Sequence, residues 1–401
     1  MLSVDEARAR ILADLKSTPP ETVALAEAWG RVLAVPVIAR LTQPPADVSA
    51  MDGYALRAAD GAVGACLTVI GASPAGHPFA GSVGPGETVR IFTGSVIPDG
   101  ADGVLIQEDA ERDGDRLTVR EAVQPGRHIR RAGQDFAAGQ EVIAAPRRLG
   151  VRDIGLAAAA NHPWLTVHRR PRIAILATGD EIALPGEPIP PGGIVSSNAH
   201  ALAALVRAGG AEPCILPIAA DTIEAVGAVA DAVAGMDMLV STGGASVGDH
   251  DLVIAGLKRR GLEVDFWKIA MRPGKPLVSG RLGPVAMLGL PGNPVSAIVC
   301  ATLFLLPALA RLSGLPAAAP PVTQGIAGTA LAANDGRADH LRATLHTDES
   351  GQLVATPFPV QDSAMLKRLT HADALILRAP HAPALQAGTP ISMIRLDTLG
   401  I

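Results

Sequence analysis

Residues 172–181 read Arg-Ile-Ala-Ile-Leu-Ala-Thr-Gly-Asp-Glu, a short apolar strand run that ends in a glycine turn carrying two carboxylates. Strand runs recur downstream at Cys214–Ile218, Met238–Ser241, Val264–Ile269 and Val285–Leu290. Helical patterns separate them. Asn198 is the expected N-cap of one helix, and Asp221-x-x-Glu224 reads as the capping box of the next. Strands alternating with helices mean βαβ units and a mostly parallel sheet, so 171–318 is predicted to be an α/β domain. Before it, residues 1–40 look helical, opened by a Ser3-x-x-Glu6 capping box with Ala7, Ile11, Leu12 and Leu15 on one face. Short β runs at Cys66–Ile70, Thr88–Phe92 and Gly103–Gln107 predict an inserted β domain over 46–135. Segments 1–45 and 136–170, on either side of that insert, read as helical or mixed. After the proline-rich linker at 316–321, residues 319–401 are expected to form a small β domain.

Composition limits the function classes. The 401-residue chain is 48% hydrophobic and 18% charged, so it can bury large cores. Its net charge of −5 and the lack of a basic tract argue against nucleic acid. Cys66, Cys214 and Cys300 are widely spaced, form no zinc motif and suit a reducing cytoplasm. The longest apolar run, Val295 to Ala310, is short of the ~20 residues of a membrane span and contains Pro307; a buried core helix is expected. The N-terminus has no signal-peptide pattern, and the expected setting is a soluble cytoplasmic protein.

In an open α/β sheet, ligands bind outside the carboxyl ends of the strands, which directs attention to four exit loops. Thr178-Gly179-Asp180-Glu181 offers carboxylates, or simply a solvated turn. Residues 241–251, Ser-Thr-Gly-Gly-Ala-Ser-Val-Gly-Asp-His-Asp, offer free backbone N–H groups for an anion, with Asp251 a helix cap or a metal ligand. That spacing is neither a Walker loop nor G-x-G-x-x-G. Lys268, Arg272 and Lys275 fall within eight residues, the last two on a loop stiffened by Pro273 and Pro276, and could hold oxyanions or form a solvated basic rim. Residues 290–296, Leu-Pro-Gly-Asn-Pro-Val-Ser, make a rigid turn with Ser296 near a helix start. In the β insert, the Asp52-Gly53 turn holds the only tyrosine, Tyr54, and is followed by Arg90–Gly94 and Arg130–Asp135.

Together these strings resemble the molybdopterin molybdenumtransferase family, which includes the E-domain of gephyrin. The matching segments are Ser49–Ala55, Arg90–Glu108, Pro125–Asp135, Thr178–Glu181, Thr242–Asp251, Phe266–Pro276 and Leu290–Ser296, in family order over nearly the whole chain. The resemblance implies an α/β multidomain fold of four parts: an elongated helical and β domain, an inserted β domain, a molybdopterin-binding α/β domain and a C-terminal β-barrel. It also implies a homodimer whose active site lies where the α/β domain of one subunit faces the β insert of the other. By the family pattern, Asp52, Thr93, Asp135, Glu181 and Asp251 are active-site polar residues, with Glu181 and Asp251 as metal ligands. Lys268 and Lys275 contact the substrate phosphate or pterin. Gly243, Gly244, Ser246, Pro291, Asn293 and Pro294 form the wall that receives the pterin. Arg272, Ser296, Arg342 and Ser363 hold molybdate, with Arg272 standing where relatives often carry lysine.

The reaction implied is adenylyl-molybdopterin plus molybdate giving molybdenum cofactor plus AMP. Converging carboxylates would repel the substrate phosphates, so Mg²⁺ is expected as cofactor. Transient contact with the adenylyltransferase and with molybdoenzyme acceptors is also implied; a membrane is not. Two rivals stand beside this reading. The sister adenylyltransferase resembles 171–318 but is typically a lone α/β domain, and a non-catalytic scaffold could use the same fold.

Overall fold

The computed structural model describes residues 1–243 and 252–400. The chain forms two compact units, one of Met1–Glu21, Gly30–Ala34 and Val167–Ile401, the other of Thr22–Trp29 and Val35–Thr166.

The first unit is built on a six-stranded sheet in the order Glu212–Ile215, Arg172–Ala177, Met238–Thr242, Val285–Leu290, Val278–Leu282, Leu262–Trp267. The first four strands run parallel, and Val278–Leu282 is antiparallel to both of its neighbours. Alternation along Arg172–Ala177 sends Ile173 and Ile175 to one face and Ala174 and Leu176 to the other. One face packs on the Asn198–Ala208 helix and the Pro294–Leu312 helix, through Leu202, Val206, Val295 and Val299. The other packs on Ile223–Ala232 and Leu252–Lys258, through Val226, Val229, Val253 and Leu257. Both faces are therefore covered, as a parallel sheet requires.

Several local expectations are corrected. Of residues 1–40, only Val4–Ala13 is α-helical; strands begin at Pro20. The Ser3–Glu6 capping box does form, with the Ser3 N–H donating to Glu6 at 2.8 Å, and Ala7, Ile11 and Leu15 join the α/β core. Thr222 rather than Asp221 caps its helix: its hydroxyl accepts from the Ala225 N–H, one residue closer to the helix than the capping-box reading placed it. Asn198 is the first helical residue, not the cap, because its amide is engaged elsewhere. Pro307 does not end the apolar helix. A π turn over Ala301–Leu305 widens the spiral just ahead of the proline ring and accommodates its missing N–H. This helix is long and apolar enough to span a membrane, yet it is mostly buried among protein side chains, where it forms the core of the α/β layer.

The C-terminal strands Val322–Ala327, Ala338–Thr347, Leu353–Pro357, Ala374–Arg378 and Pro390–Arg395 close on themselves, since Ala338–Thr347 pairs with both Leu353–Pro357 and Ala374–Arg378. The result is a five-stranded barrel around Ala327, Ala343, Ala355, Ile376 and Met393. The short strand Met271–Arg272 runs parallel to the barrel strand at Ala338–Asp339, so the basic loop of the α/β layer is hydrogen-bonded to the barrel.

In the second unit, a six-stranded sheet runs in the order Gly103–Ile106, Gly53–Leu56, Glu87–Ile91, Cys66–Ser73, Arg116–Val119, Ala110–Asp113. Its core holds Tyr54, Leu56, Leu67, Leu105 and Leu117. Residues 136–170, expected to be helical or mixed, contain one helix, Val151–Ala159, among short strands.

Candidate functional site

From Arg172–Ala177 the chain goes first to Glu212–Ile215 on one side and then to Met238–Thr242 on the other. Strand order reverses between these neighbours, and a crevice opens at such a switch point. Here it is a cavity of about 1210 Å³ within the first unit.

Its wall is assembled from segments distant in sequence. Thr178, Gly179 and Glu181 come from the first exit, and Gly243 from the second. Arg272, Lys275 and the two prolines beside them come from the basic loop, and Pro291, Asn293, Pro294 and Ser296 from the last exit. Ser363 comes from a loop of the barrel domain. Gly179 has φ +144°, and a Cβ there would lie 2.6–2.8 Å from the Glu181 carboxylate, so the missing side chain makes room for that acid. Gly274 has φ +112°, and a Cβ would meet the buried Cys300 Sγ at 2.4 Å, which packs the basic loop against the core helix.

Hydrogen bonds tie these loops together. Asn198 donates through Nδ2 to Thr242 Oγ1 (2.8 Å) and to the Gly292 carbonyl (2.7 Å), clasping the second and fourth exits. Asn293 Nδ2 donates to Ser363 Oγ at 2.8 Å, and the Val295 N–H donates to the Ser363 carbonyl at 3.0 Å. Ser363 is thereby seated at the start of the Pro294 helix, whose first turn contains buried Ser296.

The cations divide into three kinds. Arg272 lines the cavity, ion-paired with Asp335 and 3.7 Å from Asp339. Buried His340 hydrogen-bonds the Arg272 backbone; burial pushes its imidazole down to about 4, so it is neutral there. Arg342 is fully buried and does not line the cavity. Its Nη2 donates to the Asp362 carbonyl at 3.0 Å, and its backbone exchanges two hydrogen bonds with the Gln361 amide, so it holds the Ser363 loop from beneath. Burial lowers its guanidinium below the usual value. Lys275 lines the cavity, whereas Lys268 does not; Lys268 lies 6.0 Å over the Trp267 ring, on backbone with φ +87°. Gly244, Ser246 and Asp251 lie outside the described residues.

The remaining expected residues belong to the second unit. Asp52 Oδ1 accepts from the Thr93 N–H (2.7 Å) and the Thr93 hydroxyl (2.8 Å). The Thr93 backbone bond, then its hydroxyl, hold the Asp52 carboxyl below its ordinary range. The Asp135 backbone N–H donates to the Gln43 carbonyl at 3.1 Å. Val48–Ser49 and Ile129–Arg130 are antiparallel, so Asp52 follows one end of the ribbon and Arg131–Asp135 leave the other, where Arg131 pairs with Asp47.

Sequence reasoning missed Asp221, Arg337 and Gln361, which also line the cavity. Asp221 was read only as a helix cap. Arg337 follows an Asn-Asp-Gly turn that looks like a solvated loop, and no local signal marks it.

A multidomain α/β protein with a crevice of arginine, lysine and carboxylate side chains at its strand ends is thus defined by fold and site. Three family descriptions match it in order: the MoeA N-terminal region (domain I and II) over residues 2–161, a probable molybdopterin binding domain over 174–311, and the MoeA C-terminal region (domain IV) over 324–396. The chain is 35% identical to molybdopterin molybdenumtransferase 2 of Mycobacterium tuberculosis, across 98% of this chain and 99% of that one. It is 33% identical to the molybdopterin molybdenumtransferase of Haemophilus influenzae, across 98% of each. The crystal structure of the molybdopterin biosynthesis MoeA protein from Pyrococcus horikoshii superposes with a TM-score of 0.83 at 27% identity, covering 98% of this chain and 99% of that one. The chain belongs to the molybdopterin molybdenumtransferase family. It is a transferase of molybdenum cofactor biosynthesis.

Proposed function

We propose that the crevice seats adenylyl-molybdopterin and molybdate, and that the protein inserts the metal oxyanion into the dithiolene with release of AMP. The observation that carries this reading is the convergence of Glu181, Arg272, Lys275, Asn293, Ser296 and Ser363 on one strand-end cavity. Arg272 and the hydroxyls of Ser296 and Ser363 bind the oxyanion through charge-assisted bonds of ~1.5–3 kcal/mol each. Lys275 screens the phosphate, and Gly243, Pro291, Asn293 and Pro294 support the pterin. Arg342 acts through the Ser363 loop that it anchors.

Mg²⁺ fits the residues present. It takes one or two carboxylates and completes its shell with water and substrate phosphate. Glu181, Asp221 and Asp362 line the cavity without forming a cluster of three acidic, histidine or cysteine ligands among the described residues, so one or two of them can serve such an ion. Glu181 would hold the ion, with Asp251 the other ligand expected from the sequence. An ion held there would supply neutralisation of phosphoryl charge during anhydride cleavage.

The active form in this reading is a cytoplasmic homodimer in which a second copy supplies Asp52 and Thr93 to the crevice. The adenylyltransferase and molybdoenzyme acceptors are its transient partners.

A stoichiometric assay with adenylyl-molybdopterin, molybdate and Mg²⁺ tests the chemistry. AMP and active cofactor are expected together, and both should fail in chelator. Production of adenylyl-molybdopterin from ATP and molybdopterin would instead reveal an adenylyltransferase. Mixing Glu181→Ala with Asp52→Ala subunits tests the shared site: activity should return, because one crevice of each mixed dimer is intact. No return after verified subunit exchange would eliminate sharing.

A further inference from the structure

Asp335 sits on the turn that enters the barrel strand Ala338–Thr347, behind two arginines of the cavity wall. Its Oδ1 accepts from the Arg337 backbone N–H (3.0 Å) and from Arg337 Nε (3.2 Å). Its Oδ2 accepts from Arg337 Nη2 (2.8 Å) and from Arg272 Nη2. Four donors thus fill the roughly four acceptor positions of one carboxylate. The Arg337 guanidinium, with Arg272 behind it, holds the Asp335 carboxyl down to about 2, so it is ionised at any working pH.

This arrangement uses up hydrogen-bonding edges that an incoming anion needs. Arg337 gives Asp335 its forked Nε/Nη2 edge, the edge that best matches a carboxylate or a tetrahedral oxyanion. Arg272 gives it Nη2 and turns Nε toward Asp339. Two arginines and two aspartates also cancel, so the cluster attracts a dianion weakly at long range.

We propose that Asp335 is an internal competitor for the oxyanion: it imitates the anion on the Arg272–Arg337 pair and sets the site's affinity. Arg337 becomes a second anion-binding arginine once Asp335 yields. The inference rests on the oxyanion reading of the crevice and names what regulates it. A dianion presenting two oxygens displaces the carboxylate from Arg272, while a weaker or singly charged anion does not.

The test is calorimetric titration of sodium molybdate, with sodium sulfate in parallel at fixed ionic strength, into the full-length protein. Wild type, Asp335→Asn and Asp335→Ser are compared. Loss of the competing charge should tighten molybdate Kd on the order of tenfold in both variants. Adding Arg272→Ala should abolish that gain. An unchanged or weaker Kd in the Asp335 variants, with wild type binding molybdate, would show that Asp335 merely orients the arginines and would overturn the proposal alone. Absence of molybdate binding in wild type and variants alike would overturn both this proposal and the oxyanion reading.

Discussion

In the strand-exit crevice, polar groups are fixed by hydrogen bonds between segments distant in sequence: Asn198 to Thr242 and Gly292, Asn293 to Ser363, Arg342 to Asp362. In the second unit, the Asp52 carboxylate is held by its neighbour Thr93, at an exposed turn. Burial separates the two. A buried side chain such as Arg342 supports both the fold and the site, so removing it should damage both. An exposed carboxylate held by a neighbouring hydroxyl can be altered with little effect on the fold. Substitutions in the two regions should therefore differ in how activity and stability are coupled.

The largest loss is expected at Glu181. Glu181→Ala should reduce AMP release and cofactor formation on the order of a hundredfold or more, since phosphoryl charge stabilisation is removed. The side chain is exposed, so thermal denaturation should barely move. Retained turnover would remove this acid from the chemistry. Next is Arg342→Ala. It deletes a fully buried side chain and frees the Ser363 loop, costing about 2–3 kcal/mol of stability and about tenfold or more in molybdate use. Calorimetry and the insertion assay should fall together. Loss of activity at unchanged stability would mean that Arg342 touches substrate directly, and would break the contrast.

Thr93→Val should have a smaller effect, without measurable unfolding. The Asp52 carboxyl is depressed by two bonds from Thr93, and the substitution removes the hydroxyl while leaving the backbone N–H. A depressed carboxyl is charged above its folded pKa, so any activity needing it is lost as pH falls through that value. With one bond gone the pKa rises, and the acid limb of the pH–rate profile should shift to higher pH. An unmoved limb would show that Asp52 ionisation does not govern the rate.

The two regions also differed in legibility. The repeated strand runs and punctuated exits exposed the α/β layer, because a strand buried on both faces must be continuously apolar and its exits must turn sharply. Val278–Leu282 was not read as a strand: Gly280 and Arg281 interrupt its apolar run, and Gly280 fits because the neighbouring strand's Glu263 carbonyl would lie 2.4 Å from a Cβ. Asn198 looked like a cap because local sequence cannot show that its amide reaches Thr242 and Gly292. Arg342 occupies an ordinary strand position, and only tertiary packing puts it beneath the site rather than on its wall. Asp335 and Arg337 stand on an Asn-Asp-Gly turn that carries no local mark of function. Their significance depends on Arg272, which lies 63 residues earlier in the chain.

The smallest expected effect separates two lysines that the sequence treated alike. Lys275 lines the cavity, whereas Lys268 stands over Trp267 and off the cavity wall. Lys275→Ala should raise the KM for adenylyl-molybdopterin about tenfold, consistent with loss of a charge-assisted phosphate contact worth ~1.5 kcal/mol. Lys268→Ala should change KM by less than about threefold, since its half-buried cation–π contact, worth ~0.5–2 kcal/mol, steadies the loop rather than the substrate. Equal effects would mean that Lys268 swings into the crevice when substrate binds. The basic loop would then be shaped partly by its ligand rather than fully set by packing against Cys300 and the barrel strand.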